Sequence, residues 1–222
     1  MLVKEAPISI QINNTKIENV EYFNFFGIYL DKSICWKNHI NMLTTKLSKI
    51  VGICNRLKSI YPENALLTIY NSLFVSQINY GLLLWGTKLE PIFKIQKKAI
   101  RTLTNQNYIA HPEPLFKELG LLKVYDIYHL KLLKFYYNLF NELLPPYFNM
   151  YYTIISHAQH STPRYALRPS ARPLIKLPRI NHTFAETRVL YQLIHLLNLT
   201  HEHTPEILTK INEKSHSYFG FG

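Results

Sequence analysis

The sequence predicts a mainly α-helical protein that opens with a β-hairpin and continues into a basic, proline-rich arm with a terminal helix. Three observations carry this reading. Apolar and polar residues alternate near the start, as in Ile8, Ile10 and Ile12. Apolar residues then recur at helical spacing from Trp36 to Leu144. Prolines at 145, 146, 163, 169, 173 and 178 forbid long helices between residues 145 and 183. These shifts divide the chain into residues 1–34, 35–144 and 145–222.

Residues 7–31 read as the hairpin. Period-2 alternation marks a half-buried strand, and Asn13-Asn14 supplies a turn. The run from Ile17 to Leu30 is rich in β-branched and aromatic residues, and Gly27 inside it marks a bulge or a close backbone approach. A lone hairpin is marginal in water, so this one requires helices behind it or further strands in front of it.

The first helix runs from Trp36 to about Ile60. Leu43, Leu47, Ile50, Val51, Cys54 and Leu57 share one face, and Lys46, Lys49 and Arg56 share another. Pro62 suits the first turn of a second helix reaching about Tyr80. Gly81 and Gly86 bracket Trp85. A third helix spans about Leu89 to Leu103, and a shorter one spans Pro112 to Gly120, which suits a helix stop. A long helix from Val124 to Leu144 is ended by Pro145-Pro146. Helix returns from Phe184 to about Leu199, and the polar end from His201 to Gly222 frays.

Charge narrows the partner class. The chain has 222 residues, with 25 Lys and Arg against 14 Asp and Glu, a formal charge of +11. Such a field favours polyanions: nucleic acid first, an anionic membrane surface second. The two cysteines, Cys35 and Cys54, form no paired motif, which excludes a disulfide framework and a cysteine-rich zinc site. A reducing, intracellular compartment, nuclear or cytoplasmic, fits this usage. Lys4 and Glu5 interrupt any early apolar run, so no secretory signal is expected and the sequons at Asn13, Asn181 and Asn198 read as chance. The uncharged stretch between Glu63 and Lys88 is long enough to span a bilayer. Asn64, Thr68, Asn71, Ser72, Ser76, Gln77, Asn79 and Thr87 make it a buried core segment instead, with no membrane partner expected.

Two basic constellations stand out. Lys94, Lys97, Lys98 and Arg101 occupy one stripe of the third helix, opposite Ile92, Ile95, Ala99, Ile100 and Leu103. Like charges at this spacing repel, so the stripe suits an anionic partner such as a phosphate backbone, or else a simple solvated face. Lys46, Lys49 and Arg56 repeat the pattern. In the arm, Arg164, Arg168, Arg172, Lys176 and Arg179 recur without an acidic residue between Glu142 and Glu186. Extended backbone would space them for successive phosphates, with Tyr165 available for stacking, or they could merely keep a linker soluble. Catalytic groups are scarce. Two-metal phosphoryl transfer needs clustered carboxylates, and the aspartates, Asp31 and Asp126, are far apart in sequence. No phosphate loop, nucleophile elbow or zinc-protease motif occurs. His195, His201 and His203 lack a carboxylate pattern beside them. We expect no metal and no cofactor.

Ordered motifs sharpen the reading. Phe25-Phe26-Gly27-Ile28 through Asp31, followed by Trp36 and His39-Ile40, resembles the end of the polymerase domain of LINE-type, jockey-like non-LTR retrotransposon reverse transcriptases, with Phe26 where that family usually has Leu. Tyr80-Gly81 with Trp85-Gly86, then Ile95-Gln96-Lys97-Lys98-Ala99-Ile100-Arg101, then Leu143-Leu144-Pro145-Pro146 and the arginine-rich arm resemble the same family in the same order. The resemblance implies a palm-edge hairpin at 1–34, with Phe25, Phe26 and Gly27 primer-grip-like. It implies a helical thumb at 35–144 and a basic C-terminal extension at 145–222. It places the catalytic aspartates upstream of this chain, which alone would be no enzyme. The expected partner is RNA or an RNA–DNA duplex, bound without sequence readout. Self-association through the unpartnered hairpin face is also expected. The alternative is a non-enzymatic helical protein-interaction module using Trp85 and the tyrosine-rich helix from Tyr125 to Tyr137.

Overall fold

Two short hairpins precede the helices. The computed structural model describes residues 11–107, 109–149 and 189–200. Strand β1 (Gln11–Ile12) pairs antiparallel with β2 (Thr15–Lys16) across Asn13-Asn14, both at positive φ. Strand β3 (Tyr22–Phe25) pairs antiparallel with β4 (Ile28–Asp31). The expected strand from Ile17 to Leu30 is thus broken. Gly27 sits in no bulge; with Phe26 it forms the two-residue turn between β3 and β4, at φ 47° and 81°. Positive φ at both central residues matches the twist of the flanking strands.

Helix α1 (Lys37–Leu57) buries Ile40, Leu43, Leu47, Val51 and Cys54 on one face, together with His39. Ile50 and Leu57 of the expected face are only half-buried. The second predicted helix is not uniform. It comprises α2 (Glu63–Ile69), a π-helical stretch at Tyr70–Val75, and α3 (Ser76–Asn79). Tyr70 and Phe74 stack in the wide turn, ring centroids 4.9 Å apart. The chain then breaks at Tyr80 and Gly81, and α4 (Leu82–Trp85) follows. The uncharged stretch is therefore several short helices, and no described helix is long and apolar enough to cross a membrane.

Helices α5 (Glu90–Leu103) and α6 (Pro112–Glu118) both begin with proline in the first turn, where no intrahelical N–H is needed. Helix α7 (Val124–Phe140) stops before the position predicted from the prolines. Glu142 turns left-handed at φ 56°, and the Leu143 N–H donates to the Asn138 carbonyl at 2.9 Å. That bond closes the helix end two residues ahead of Pro145. Helix α8 (Val189–Thr200) packs on α7 and buries Leu193, Ile194, Leu196 and Leu197. The core is one cluster centred on α1 against α5, with Phe74, Ile78, Trp85, Ile92 and Ile100 fully buried.

Candidate nucleic-acid interface

The hairpin tip is built by residues that lie far apart in sequence. Asn24 Oδ1 accepts the Gly27 N–H at 2.9 Å and pins the turn from within. The Tyr80 hydroxyl donates to the Phe26 carbonyl and pins it from the helical side. Gly81 follows at φ 62°, and a Cβ there would lie 2.7 Å from Ile28 Cδ1. Only glycine accepts both that backbone and that approach of β4. The Trp85 Nε1–H donates to the Tyr80 carbonyl at 3.0 Å, which holds the Tyr-Gly break rigid. On the other edge of the hairpin, the Tyr29 N–H donates to His39 Nδ1 at 3.4 Å, and the His39 ring lies 5.4 Å from that of Trp85. Phe25-Phe26-Gly27, His39 and the Tyr80–Gly86 segment thus form one docking unit.

The docked tip presents aromatic surface. Phe26 is 79% exposed, and Phe23 and Phe25 remain more than half exposed. Phe25 and Phe26 meet edge-on at 4.7 Å. Ile28 and Leu30 on the paired strand turn toward the core. Among the described residues, only β4 pairs with β3, so its outer edge is open.

The α5 stripe is outward-facing but less bare than expected. Lys94 and Lys98 are exposed, while Lys97 and Arg101 are half-exposed. Lys94 lies 3.7 Å from Glu90, an exposed pair worth roughly 0–1 kcal/mol. The Tyr125 hydroxyl, with Lys94 and Lys97 adding, holds the Glu90 carboxyl below the usual carboxylate range. The Lys97 ammonium sits 4.7 Å over the Phe93 ring. Arg101 donates from Nε to the Ala110 carbonyl at 2.8 Å, so this cation also anchors the loop after α5. These contacts relieve part of the like-charge repulsion within the stripe. On α1, Lys46, Lys49 and Arg56 are all exposed. Thr44, Thr45, Ser48 and Lys49 line a shallow open depression there. Arg164, Arg168, Arg172, Lys176 and Arg179 lie outside the described residues, as does Tyr165.

Several residues matter that periodicity does not reveal. Gln96 lies on α5 yet is fully buried. Its Nε2 donates to the Tyr70 hydroxyl at 3.0 Å and to the Leu122 carbonyl at 2.9 Å, and its Oε1 accepts the Val124 N–H at 2.8 Å. It ties α5 to the π-helical turn and to the start of α7. Asp31 accepts from the Cys35 N–H at 2.8 Å, from the Cys35 thiol and from Ser33. Burial pushes its carboxyl up, but these bonds outweigh that and hold it below the ordinary range. Asp126 lies in the first turn of α7, where a negative charge complements the helix dipole. Both aspartates thus have structural posts. Trp85, Tyr128 and Tyr136 are buried, which corrects their assignment to a protein interface. An indole already bonded to the Tyr80 carbonyl and packed on His39 has no surface to offer a partner. The signal for the docking unit was present in the glycines flanking Trp85. A Cβ at Gly86 would overlap the Tyr128 ring, so only glycine allows α7 this close.

The chain is similar to a probable RNA-directed DNA polymerase from transposon X-element of Drosophila melanogaster, with 24% identity over 132 residues. The match covers 56% of this chain and 14% of that protein, so the chain spans about a seventh of its relative's length. No protein-family profile matches the chain, and no solved structure does.

Proposed function

We propose that this chain is the thumb-like, duplex-holding part of a LINE-type non-LTR retrotransposon reverse transcriptase, with a primer-grip-like hairpin on its N-terminal side. One observation carries the reading. The Phe25-Phe26-Gly27 tip is held on the helical body by Tyr80, in the chain that also turns the cations of α5 outward. Similarity to a transposon-encoded RNA-directed DNA polymerase supports the same assignment. The partner is RNA or an RNA–DNA duplex, gripped along its phosphates. Lysines and arginines on helix faces contact backbone without reading bases, as a surface that slides along any sequence requires. The chain alone performs no chemistry in this reading, because Asp31 is committed to its own loop and Asp126 to a helix start.

Binding of a labelled RNA–DNA duplex across a salt series tests this. Each neutralised phosphate contributes roughly 0.9 to the slope of log affinity against log salt. The expected result is a steep slope, indifferent to sequence, that falls by up to about 3 in Lys94/Lys97/Lys98→Ala. Arg101 is left intact because it also anchors the loop. Absence of binding at low salt, or a slope unchanged in the triple variant, overturns the assignment.

A further inference from the structure

We propose that Ile109 enters the minor groove of the bound duplex as an apolar wedge, while the lysines of α5 hold the adjacent phosphates. The inference rests on the duplex-binding reading above. Ile109 is 86% exposed, more than any other large hydrophobic side chain among the described residues. It is not on a loose excursion. Arg101, itself a member of the basic stripe, donates to the carbonyl of the next residue, Ala110. The Gln106 N–H donates back to the Arg101 carbonyl at 2.9 Å, and the Ala110 N–H donates to Asn107 at 3.0 Å. These bonds draw the loop against the C-terminal end of the stripe, so Ile109 sits beside cations.

The chemistry around it fits one kind of partner. Asn105, Gln106 and Asn107 are exposed on the same loop. Their amide groups donate, and the minor groove offers only base-edge acceptors plus the guanine amino group. Apolar side chains flanked by Asn, Gln and cations insert between base steps there, and the phosphates on either side take the charges. Water gains nothing from an isoleucine at the end of a row of lysines, whereas a base step covers it.

The test uses an RNA–DNA duplex with 2-aminopurine in the DNA strand, whose fluorescence rises on unstacking. The whole chain should raise the signal on binding. Ile109→Ser should bind about tenfold more weakly, from the loss of buried apolar area. Its salt slope should match the parent's, since no charge is removed, and its fluorescence should stay flat. Ile109→Leu should restore both. Unchanged affinity and fluorescence in Ile109→Ser overturn the wedge and leave the duplex reading standing. An equal loss on single-stranded RNA indicates base stacking and also overturns it. If the parent chain binds no duplex at low salt, both readings fail together.

Discussion

Replacing Gln96 with leucine should be among the most damaging single changes in the helical body. Leucine keeps the volume and suits an apolar neighbourhood, so the loss is one of hydrogen bonds. The Tyr70 hydroxyl, the Leu122 carbonyl and the Val124 N–H all lose their partner. Each buried polar group left unpaired costs about 1–3 kcal/mol. Leu122 is exposed enough for water to reach its carbonyl, so the total should be about 3–5 kcal/mol. That is a large part of the roughly 5–15 kcal/mol that holds a domain folded. At about 2–4 °C per kcal/mol for a chain of this size, the melting temperature should fall by roughly 10 °C. Thermal and urea unfolding measure it. Tyr70→Phe alone should cost about 1 kcal/mol, and Gln96→Leu/Tyr70→Phe should be less damaged than the sum, because one orphan has been removed. A Gln96→Leu protein melting within about 2 °C of the parent would refute the claim that this side chain joins α5, the π-helical turn and α7.

Other consequences are open to measurement. Gly86→Ala should cost about 1–3 kcal/mol by forcing α4 and α7 apart at Tyr128, read in the same melts. Tyr80→Phe should leave the melting temperature nearly unchanged but speed amide exchange at Phe26–Ile28, because the hydroxyl bond to Phe26 is the tip's tie to the body. Burial, with the charge of Lys46, lowers the His39 pKa. The unfolded state therefore takes up the proton first, so stability is full above about pH 6.5 and falls as pH drops below it. The pH profile of melting should flatten in His39→Gln. Phe23→Lys/Phe25→Lys should shift the chain toward monomer in sedimentation, if the half-exposed face of β3 joins copies as we infer.

The helices were legible because their signals are local. The faces of α1 and α5 follow from residues three and four apart, and the proline starts of α5 and α6 need no tertiary knowledge. What stayed hidden depends on distant partners. Gln96 looks like one more polar residue on a basic helix until Tyr70 and Val124 arrive from elsewhere. His39 reads as solvent-facing until Tyr29 and Trp85 close over it. Phe26 is a poor candidate for a left-handed turn position, and only the Tyr80 hydroxyl makes that conformation worth holding. The end of α7 misled for a different reason. Pro145 is a strong stop signal, but a left-handed Glu142 does the same work earlier, and glutamate carries no such signature. For the interface, the stripes were visible as charge, whereas the engagement of Arg101 with Ala110 was not.

The wide turn at Tyr70–Val75 has a bearing on how this chain tolerates change in length. Successive residues of an α-helix are rotated by about 100°, so removing one residue there, and so restoring ordinary winding, would swing all that follows through that angle relative to α2. Tyr80 would no longer point at the Phe26 carbonyl, and Gly81 would no longer lie under Ile28. The spacing between Tyr70 and Tyr80 is thus a phase setting for the hairpin. Substitutions there can be absorbed one side chain at a time, but a single insertion or deletion cannot.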